Sequence, residues 1–359
     1  MPPESPDLRE PGFASRVRGC LLGGAVGDAL GAPIEFDSFD DIVGRYGVDG
    51  PAELGEAYGV RGAITDDTQM TMFTVEGMLR ALVRHQAKGI CAPATIVHHA
   101  YLRWLHTQGE RSLHPLFAPD EFDGWLIETR ALHARRAPGG SCLSALATAR
   151  FGTREEPIND SKGCGGVMRV APLAFLSTDP FGFACEVAAL THGHATGQLA
   201  AGFFAALVAD VADGTNLRVA IERARERLTS ERRHEETRDA VDAALALADL
   251  APPLPESIPR LGEGWVAEEA LAIALFCALT GEDFEGAVRL AVTHSGDSDS
   301  TGSMTGALLG ARLGAEAIPA RWLSSLELTD ELERLAADVV EVTRGRGPEG
   351  LSWERYPGW

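Results

Sequence analysis

Apolar residues recur at a period near 3.6 along most of this 359-residue chain. That spacing places Ala, Leu and Val side chains on one face of a helix, whereas the alternating β-branched and aromatic residues that indicate strands are almost missing. The pattern predicts helices over residues 17–30, 68–84, 93–106, 183–191, 195–212, 217–228, 236–250, 267–279, 284–292, 302–313 and 330–342. The sequence therefore predicts an all-α fold of many helices.

Segments of unusual chemistry lie towards both ends of the chain, at residues 23–36, 65–71, 161–172 and 292–302. No linker of low complexity and no repeat of fixed period separates them. If they form one site, the first and last helices must be neighbours, so we expect a single compact domain over residues 13–345. Residues 1–12 are expected to be a flexible N-terminus, and residues 346–359 a C-terminal tail.

Charge and composition exclude several classes of protein. A formal net charge of -20 disfavours nucleic-acid binding, which needs clustered cations. The first twelve residues lack the apolar core of a secretion signal, and no apolar run has the length expected of a bilayer span. The six cysteines are scattered without the spacing of a metal site or a disulfide framework. We therefore expect a cytoplasmic monomer with no membrane partner.

Three glycines, Gly23, Gly27 and Gly31, recur at every fourth residue and so share one face of the first helix. Each interior glycine costs a helix about 1 kcal/mol relative to alanine. Small residues at this spacing let a second backbone approach closely, and Asp28 and Glu35 argue against a membrane dimer. The spacing predicts close helix packing inside the fold.

The segment Thr65-Asp66-Asp67-Thr68 stands immediately before a predicted helix. Thr and Asp at a helix start accept hydrogen bonds from free backbone N–H groups, so capping accounts for one of these side chains. Capping leaves the second adjacent carboxylate unexplained.

A second cluster, Asp297-Ser298-Asp299-Ser300, also stands near a predicted helix start. Its first positions resemble a calcium-binding EF-hand loop, but the twelfth position, which requires Glu, is Leu308. The residues that follow are also helical in pattern. An EF-hand is therefore excluded, and a cluster of carboxylates and hydroxyls at a helix start remains.

The two clusters are best explained together, as one site for a hard cation. Two carboxylates about 4 Å apart repel by roughly 4 kcal/mol at an effective dielectric near 20. Arg61 is the only cation close to either cluster in sequence. Carboxylate and hydroxyl ligands suit Mg²⁺ or Mn²⁺ better than zinc, and two ions about 3.5–4 Å apart are a familiar arrangement.

Residues 161–169 read Ser-Lys-Gly-Cys-Gly-Gly-Val-Met-Arg and lead into a helical stretch. Exposed N–H groups at such a junction can bind phosphate, although the spacing is not that of a Walker A loop. On its own, a loop of this kind is more often structural. His192 and His194 have no third His or Cys at matching spacing, so we interpret them as ligand-facing or helix-terminal side chains.

Taken together, these segments resemble the ADP-ribosylglycohydrolase family, which includes the dinitrogenase-reductase-activating glycohydrolase and the ADP-ribosylarginine and ADP-ribosylserine hydrolases. The resemblance rests on four motifs in the family's order: residues 23–35, Thr65 to Thr68, Gly163 to Arg169, and His294 to Ser300. Together they span residues 19 to about 312, most of the chain.

The resemblance implies an all-helical fold around a centre of two Mg²⁺ or Mn²⁺ ions. Glu35 corresponds to a mobile acidic residue above the metals and, with Asp299, is the candidate for proton transfer. Many relatives carry Asn where this chain has Cys164. By position, the expected metal ligands are Thr65, Asp66, Asp67, Asp297, Asp299 and Ser300. The expected substrate-binding residues are Ser161, Gly163, Cys164, Gly165, Gly166, Met168 and His192.

The activity that the resemblance implies is hydrolysis of the bond between ADP-ribose and a protein side chain, with the arginine linkage slightly favoured. Such cleavage passes through an oxocarbenium-like transition state. The expected partner is an ADP-ribosylated protein or an ADP-ribose-containing small molecule. The alternatives are a hydrolase of small ADP-ribose conjugates or nucleosides, a catalytically silent relative that binds ADP-ribose, and an immunity protein that counters an ADP-ribosylating toxin.

Overall fold

Residues 11–250, 252–343 and 351–358, which the computed structural model describes, form sixteen α-helices. Short 3-10 turns join several of them, and the strands of these residues are one antiparallel hairpin, β1 (Glu56–Ala57) and β2 (Val60–Arg61). The all-α prediction is confirmed. The helices are α1 (Pro11–Gly31), α2 (Phe39–Tyr46), α3 (Asp66–Lys88), α4 (Pro93–Thr107), α5 (Trp125–Glu128), α6 (Gly140–Leu146), α7 (Leu173–Leu176), α8 (Pro180–Ala189), α9 (Ala195–Ala212), α10 (Leu217–Thr229), α11 (Glu235–Leu250), α12 (Ala267–Thr280), α13 (Phe284–Val292), α14 (Ser298–Leu313), α15 (Ala320–Leu323) and α16 (Thr329–Glu341).

Each predicted helix overlaps one of these helices, and the differences concern short elements and helix starts. The five helices that periodicity did not predict, α2, α5, α6, α7 and α15, have eight residues or fewer, which is too short for a period of 3.6 to show. The start of α14 is Ser298, four residues before the predicted start, because its first turn is built from polar residues.

The contact between α1 and α14 is the centre of the fold. The two helices approach so closely that a Cβ atom on Gly23 would lie 2.4 Å from the carbonyl oxygen of Gly306. A Cβ on Gly27 would lie 2.0 Å from the carbonyl oxygen of Gly302. The predicted close helix packing is confirmed, and its partner is the last long helix but one of the described chain.

Helix α9 lies in the core, against α8, α10, α12 and α14. Its eighteen residues have a mean hydropathy of 1.4, which is enough by length and composition alone to cross a membrane. The expectation that no apolar run has that length is therefore wrong. Neighbouring helices bury 78% of α9, and this core position accounts for its apolar character.

The segment 351–358 lies against α3 and α16. The Tyr356 hydroxyl donates to Asp338 of α16, and Arg80 of α3 donates to the Pro357 carbonyl at 3.0 Å. Together, the described residues form a single compact domain. Residues 1–10 of the predicted flexible N-terminus, and residues 344–350 and 359 at the predicted boundary and tail, lie outside the described residues.

Candidate active site

The start of α3 carries Asp66 and Asp67, and Asp28 of α1 holds it in place. Both carboxylate oxygens of Asp28 accept the backbone N–H of Thr65 at 3.0 Å. One of them also accepts the N–H of Thr68 at 3.1 Å and its hydroxyl at 2.5 Å. A carboxylate from another helix therefore caps the N-terminus of α3, while the Thr65 hydroxyl accepts the N–H of Asp67 at 3.3 Å.

The start of α14 lies beside the end of α1. A Cβ on Gly31 would lie 2.4 Å from the carbonyl oxygen of Ser298, so glycine is required for this approach. Asp297 stands immediately before the helix, and Asp299 and Ser300 occupy its first turn. The Ser300 N–H donates to the Asp299 carboxylate at 2.9 Å. The glycine contact between α1 and α14 therefore sets the position of the second acidic cluster.

The two helix starts meet beside Glu35, which lies in the turn after α1. The Ser300 hydroxyl donates to Asp67 at 3.3 Å and so links α14 to α3. Carboxylate oxygens of Glu35, Asp297 and Asp299 lie within 4.8 Å of one another. At an effective dielectric near 20, each such pair repels by at least about 3.5 kcal/mol when both groups are ionised. The two acidic segments of the sequence thus form one cluster.

No cation of the described residues offsets these charges. Their ion pairs do not include Glu35, Asp66, Asp67, Asp297 or Asp299. All five side chains are buried. Oε2 of Glu35 and Oδ1 of Asp67 are buried without a hydrogen-bond partner, although buried polar atoms normally have one.

Burial raises the pKa of every carboxyl group in this cluster. Burial, followed by repulsion from Asp299 and Asp297, raises the pKa of Glu35 to about 10. Burial also raises the pKa values of Asp66 and Asp67 well above their usual range, and Asp299 adds to both shifts. Such shifts are typical of carboxyl groups that lack a compensating positive charge.

The donor set fits a divalent cation. Its side chains offer carboxylate and hydroxyl oxygens, which hard cations such as Mg²⁺ and Mn²⁺ prefer, and two carboxylate oxygens have no protein partner. Metal ions would supply the positive charge that the protein does not. The residues that could hold them are the six predicted ligands, Thr65, Asp66, Asp67, Asp297, Asp299 and Ser300, together with Glu35.

Cys164 places a thiol directly on this cluster. Its Sγ donates to Asp297 Oδ2 at 2.6 Å and lies 3.7 Å from the Ser300 hydroxyl oxygen. Burial, reinforced by the Asp297 and Asp67 carboxylates, raises the pKa of Cys164 well above its ordinary value, so the group is a neutral thiol. The position that is Asn in many relatives therefore contacts an expected metal ligand.

The His192 ring packs against the glycine-rich loop. Arg169 donates to the Thr191 hydroxyl at 2.7 Å, and that hydroxyl pairs with His192 Nδ1 at 2.8 Å. Burial, with a contribution from Arg169, lowers the pKa of His192 to about 3, so its ring is neutral. A Cβ on Gly165 would lie 3.1 Å from this ring, and glycine thus lets the loop pass close to it.

A cleft of about 330 Å³, partly open to solvent, joins the acidic cluster to this loop. That size is in the range of small-molecule sites. Three predicted residues lie just outside its lining: Thr65 hydrogen-bonds Asp299, Ser161 shares a 2.7 Å hydrogen bond with Ser141 of the lining, and Gly166 packs against His192. The predicted site residues that line the cleft are Glu35, Asp66, Asp67, Gly163, Cys164, Gly165, Met168, His192, Asp297, Asp299 and Ser300.

The sequence did not assign several residues that build the site. Asp28 was noted only as part of a motif, and its capping role depends on α1 lying beside the start of α3. The segment 137–142 lines the cleft, and its Gly139 N–H donates to Asp66 at 3.1 Å. The Gly139-Gly140 pair was the available signal. Phe36 and Trp265, at the mouth of the cleft, carried no signal in the sequence.

The helical fold and the acidic cleft are those of enzymes that cleave glycosyl bonds to ADP-ribose. The chain belongs to the ADP-ribosylglycohydrolase family, whose model matches residues 9–349. The family is generally metal-dependent, in agreement with the buried acidic cluster.

Three similar proteins cover nearly the whole chain. The ADP-ribosyl-[dinitrogen reductase] glycohydrolase of Rhodospirillum rubrum is 26% identical over 345 residues, which are 93% of this chain and 98% of that protein. An uncharacterized protein of Archaeoglobus fulgidus is 27% identical over 350 residues, 91% of this chain and 96% of the relative. A solved structure described as an ADP-ribosylglycohydrolase-related protein complex has a TM-score of 0.63 and 28% identity, and the match covers 92% of this chain and 99% of that one.

Proposed function

We propose that this chain hydrolyses the glycosidic bond between ADP-ribose and a modified protein side chain, with arginine as the favoured linkage and two Mg²⁺ or Mn²⁺ ions as cofactors. One observation supports this proposal most directly. Buried carboxylates without a protein cation form the base of a cleft that also contains the glycine-rich loop. The Rhodospirillum rubrum relative, by its name, acts on an ADP-ribosylated protein.

The six predicted ligands, from Thr65 to Ser300, would hold the two ions. Ions bound there would orient the ribose hydroxyls and activate the attacking water. Asp28 keeps the ligands of α3 in register by capping its N-terminus, and the Ser300–Asp67 hydrogen bond aligns α3 with α14. Both helix starts are thus fixed before any substrate binds.

The glycine-rich loop and His192 would hold the diphosphate and ribose. The Thr191 hydroxyl accepts a hydrogen bond from Arg169, so its own hydrogen is available to His192 Nδ1. This arrangement leaves the Nε2–H of the neutral ring as a donor to the substrate. Arg169 therefore acts through Thr191 as a positioning residue for His192.

Glu35 is the residue that we assign to proton transfer. Cleavage requires that the attacking water lose a proton and that the departing side-chain nitrogen gain one, so a single carboxyl group can carry the same proton. Glu35 Oε2 has no protein partner, whereas Asp299, the other candidate, already accepts hydrogen bonds from Ser300 and Thr65. Glu35 is therefore free to exchange a proton.

A substrate panel tests the activity. We expect the wild-type protein, with Mg²⁺ or Mn²⁺, to release ADP-ribose from an arginine-linked substrate faster than from serine-linked or small-molecule conjugates. Free ADP-ribose is measured chromatographically. Failure to release it from every conjugate would contradict the proposal and favour a silent ADP-ribose-binding relative, whereas activity only on small conjugates would transfer the function to that class. The cytoplasmic location and the monomeric state also remain predictions.

Thermal unfolding of ligand variants tests the proposed metal site. Asp66→Ala and Asp299→Ala should remove the rise in melting temperature that Mg²⁺ or Mn²⁺ gives the wild-type protein, because each removes an expected ligand. Asp239→Ala, an exposed carboxylate outside the cleft, is the control and should respond like the wild type. An unchanged response in both cleft variants would disprove the metal assignment.

A further inference from the structure

A sulfur atom lies among the oxygen atoms of the acidic cluster. Cys164 Sγ donates to Asp297 Oδ2 at 2.6 Å and lies 3.7 Å from the Ser300 hydroxyl oxygen. That hydroxyl donates in turn to Asp67 Oδ2 at 3.3 Å. Two atoms that share one metal ion, through bonds of about 2.0–2.4 Å, lie roughly 3–3.7 Å apart. The thiol is therefore as close to three of the expected ligands as a further ligand of the same ion would be.

The glycine-rich loop fixes the position of this thiol. The Cys164 N–H donates to the Trp265 carbonyl at 3.2 Å. The Cys164 carbonyl accepts the N–H groups of Val167 and Met168 at 2.8 and 3.1 Å. Because the backbone is held on both sides of the residue, Cys164 loses little conformational freedom when its side chain binds an ion.

A second sulfur atom lies on the same side of the cluster. Met168 is 4% exposed, and its Sδ is 3.9 Å from the Ser300 hydroxyl oxygen. The 3-10 turn Cys164–Gly166 thus directs two sulfur atoms towards one hydroxyl group. Sulfur ligands favour ions such as Zn²⁺ and Fe²⁺, whereas Mg²⁺ prefers oxygen. The cluster therefore has a sulfur side as well as an oxygen side.

A carboxylate oxygen beside the thiol has no partner. Asp67 is 2% exposed, and its Oδ1 is buried without a hydrogen bond, although buried polar atoms normally have one. Asp67 lines the cleft together with Cys164, Asp297 and Ser300. A thiol that served only as a hydrogen-bond donor to Asp297 would leave this oxygen unsatisfied. An ion between the thiol and the two carboxylates would not.

We propose that Cys164 is a ligand of one of the two ions, and that this position takes a thiophilic divalent ion, of the class of Zn²⁺ and Fe²⁺, in place of Mg²⁺ or Mn²⁺. Asp67, Asp297 and Ser300 are the other protein ligands of that ion. The ion takes the place of the thiol proton, which passes to the solvent. This inference rests on the proposed metal site and names the class of one of its ions.

Absorption spectroscopy with Co²⁺ as the probe tests the ligand. The reduced, metal-free wild-type protein, loaded with Co²⁺ alone, should show a thiolate-to-cobalt charge-transfer band in the near ultraviolet. Cys164→Ser keeps a hydrogen-bond donor to Asp297 and should lose the band, as should Cys164→Asn. Cys142→Ser is the matched control, because Cys142 is another cysteine of the cleft lining, and it should keep the band. A wild type without the band, or a Cys164→Ser protein that retains it, overturns the proposal.

Competition titrations with Cd²⁺ and Mn²⁺ distinguish a metal ligand from a hydrogen-bond donor. Cys164→Ser should lower the affinity for Cd²⁺ relative to Mn²⁺ by about 100-fold, because Cd²⁺ gains more from a thiolate than Mn²⁺ does. A thiol that acted only by orienting Asp297 would change both affinities by a similar factor. Equal losses for the two ions therefore contradict the assignment of Cys164 as a ligand.

The cobalt band does not depend on hydrolysis, so the two proposals fail separately. If the band is present but no conjugate releases ADP-ribose, the hydrolase proposal fails and Cys164 remains a ligand. If Mg²⁺ raises the melting temperature of the wild type but Co²⁺ gives no band, the metal site stands and the thiol ligand is overturned.

Discussion

The two halves of helix α3 bury carboxylates in opposite ways. At its start, Asp66 and Asp67 belong to a cluster that no arginine or lysine of the described residues neutralises. In its middle, Glu76 is equally buried, but Arg80 donates to it at 2.8 Å and Arg103 donates to its other oxygen. One group of charges is balanced within the protein, and the other is not.

This difference separates a structural charge cluster from a functional one. A buried carboxylate is retained at low cost when cations and hydrogen bonds compensate it. Around Glu76 the compensation extends further, because Arg80 also donates to Asp123 at 2.7 Å. Buried carboxylates without such compensation destabilise the fold unless a cation binds to them. The start of α3 therefore has the character of a binding site.

The largest expected effect comes from breaking the balanced half. Glu76→Gln should lower the free energy of unfolding by about 3–5 kcal/mol, because it leaves the buried guanidinium of Arg103 without its carboxylate. Denaturant unfolding measures this loss. The stabilisation by Mg²⁺ or Mn²⁺ should be the same as in the wild type. A loss below about 1 kcal/mol would mean that the ion pairs of Glu76 do not stabilise the fold in the way that this comparison requires.

The unbalanced half should respond in the opposite sense. Asp67→Asn should leave the metal-free protein at least as stable as the wild type, because it removes one of several mutually repelling groups. At a metal concentration one hundred times the dissociation constant, the wild type should gain about 2.7 kcal/mol and the variant much less. Unfolding curves with and without metal, with KCl at matched ionic strength, measure both quantities. Strong destabilisation of the metal-free variant would show that Asp67 is structural.

A smaller effect is expected where α1 and α14 bring the unbalanced cluster together. Gly27→Ala places a Cβ 2.0 Å from the Gly302 carbonyl oxygen and should cost about 1–3 kcal/mol as the helices separate. It should also weaken metal binding, since α14 carries proposed ligands at its start. Gly24→Ala is the control, because its Cβ would meet Ala307 at an ordinary 3.4 Å. Equal metal affinity in both variants would show that the cluster tolerates a wider helix spacing.

The sequence predicted the long helices and both acidic segments because these are local patterns. The period of 3.6 identifies every helix longer than eight residues, and Thr65 and Asp297 stand at helix starts as their residue types indicate. The spacing of Gly23, Gly27 and Gly31 predicted a close neighbour. It did not identify α14 as that neighbour, because the choice of partner depends on the whole packing.

Residues whose role depends on distant neighbours escaped prediction. Asp28 looks like any helical carboxylate until α1 is placed beside the start of α3. The segment 137–142 has no apolar period, and its contribution to the cleft follows only from where α4 and α6 place it. Helix α9 was not recognised in the sequence as an apolar run long enough to cross a membrane. Its burial among four helices, and not its length, decides what such a segment does.

The pairing of α1 with α14 also has a consequence for how the protein is made. Asp28 and Asp299 are separated by 271 residues of sequence, and no site exists until the helix that carries the second has left the ribosome. At about 5–20 residues per second, synthesis of that interval takes roughly 14–54 s. During this time the glycine face of α1 has no partner, and nascent chains released before residue 298 should bind neither metal nor substrate. The site is thus among the last parts of the molecule to become native, and its formation reports completion of the fold.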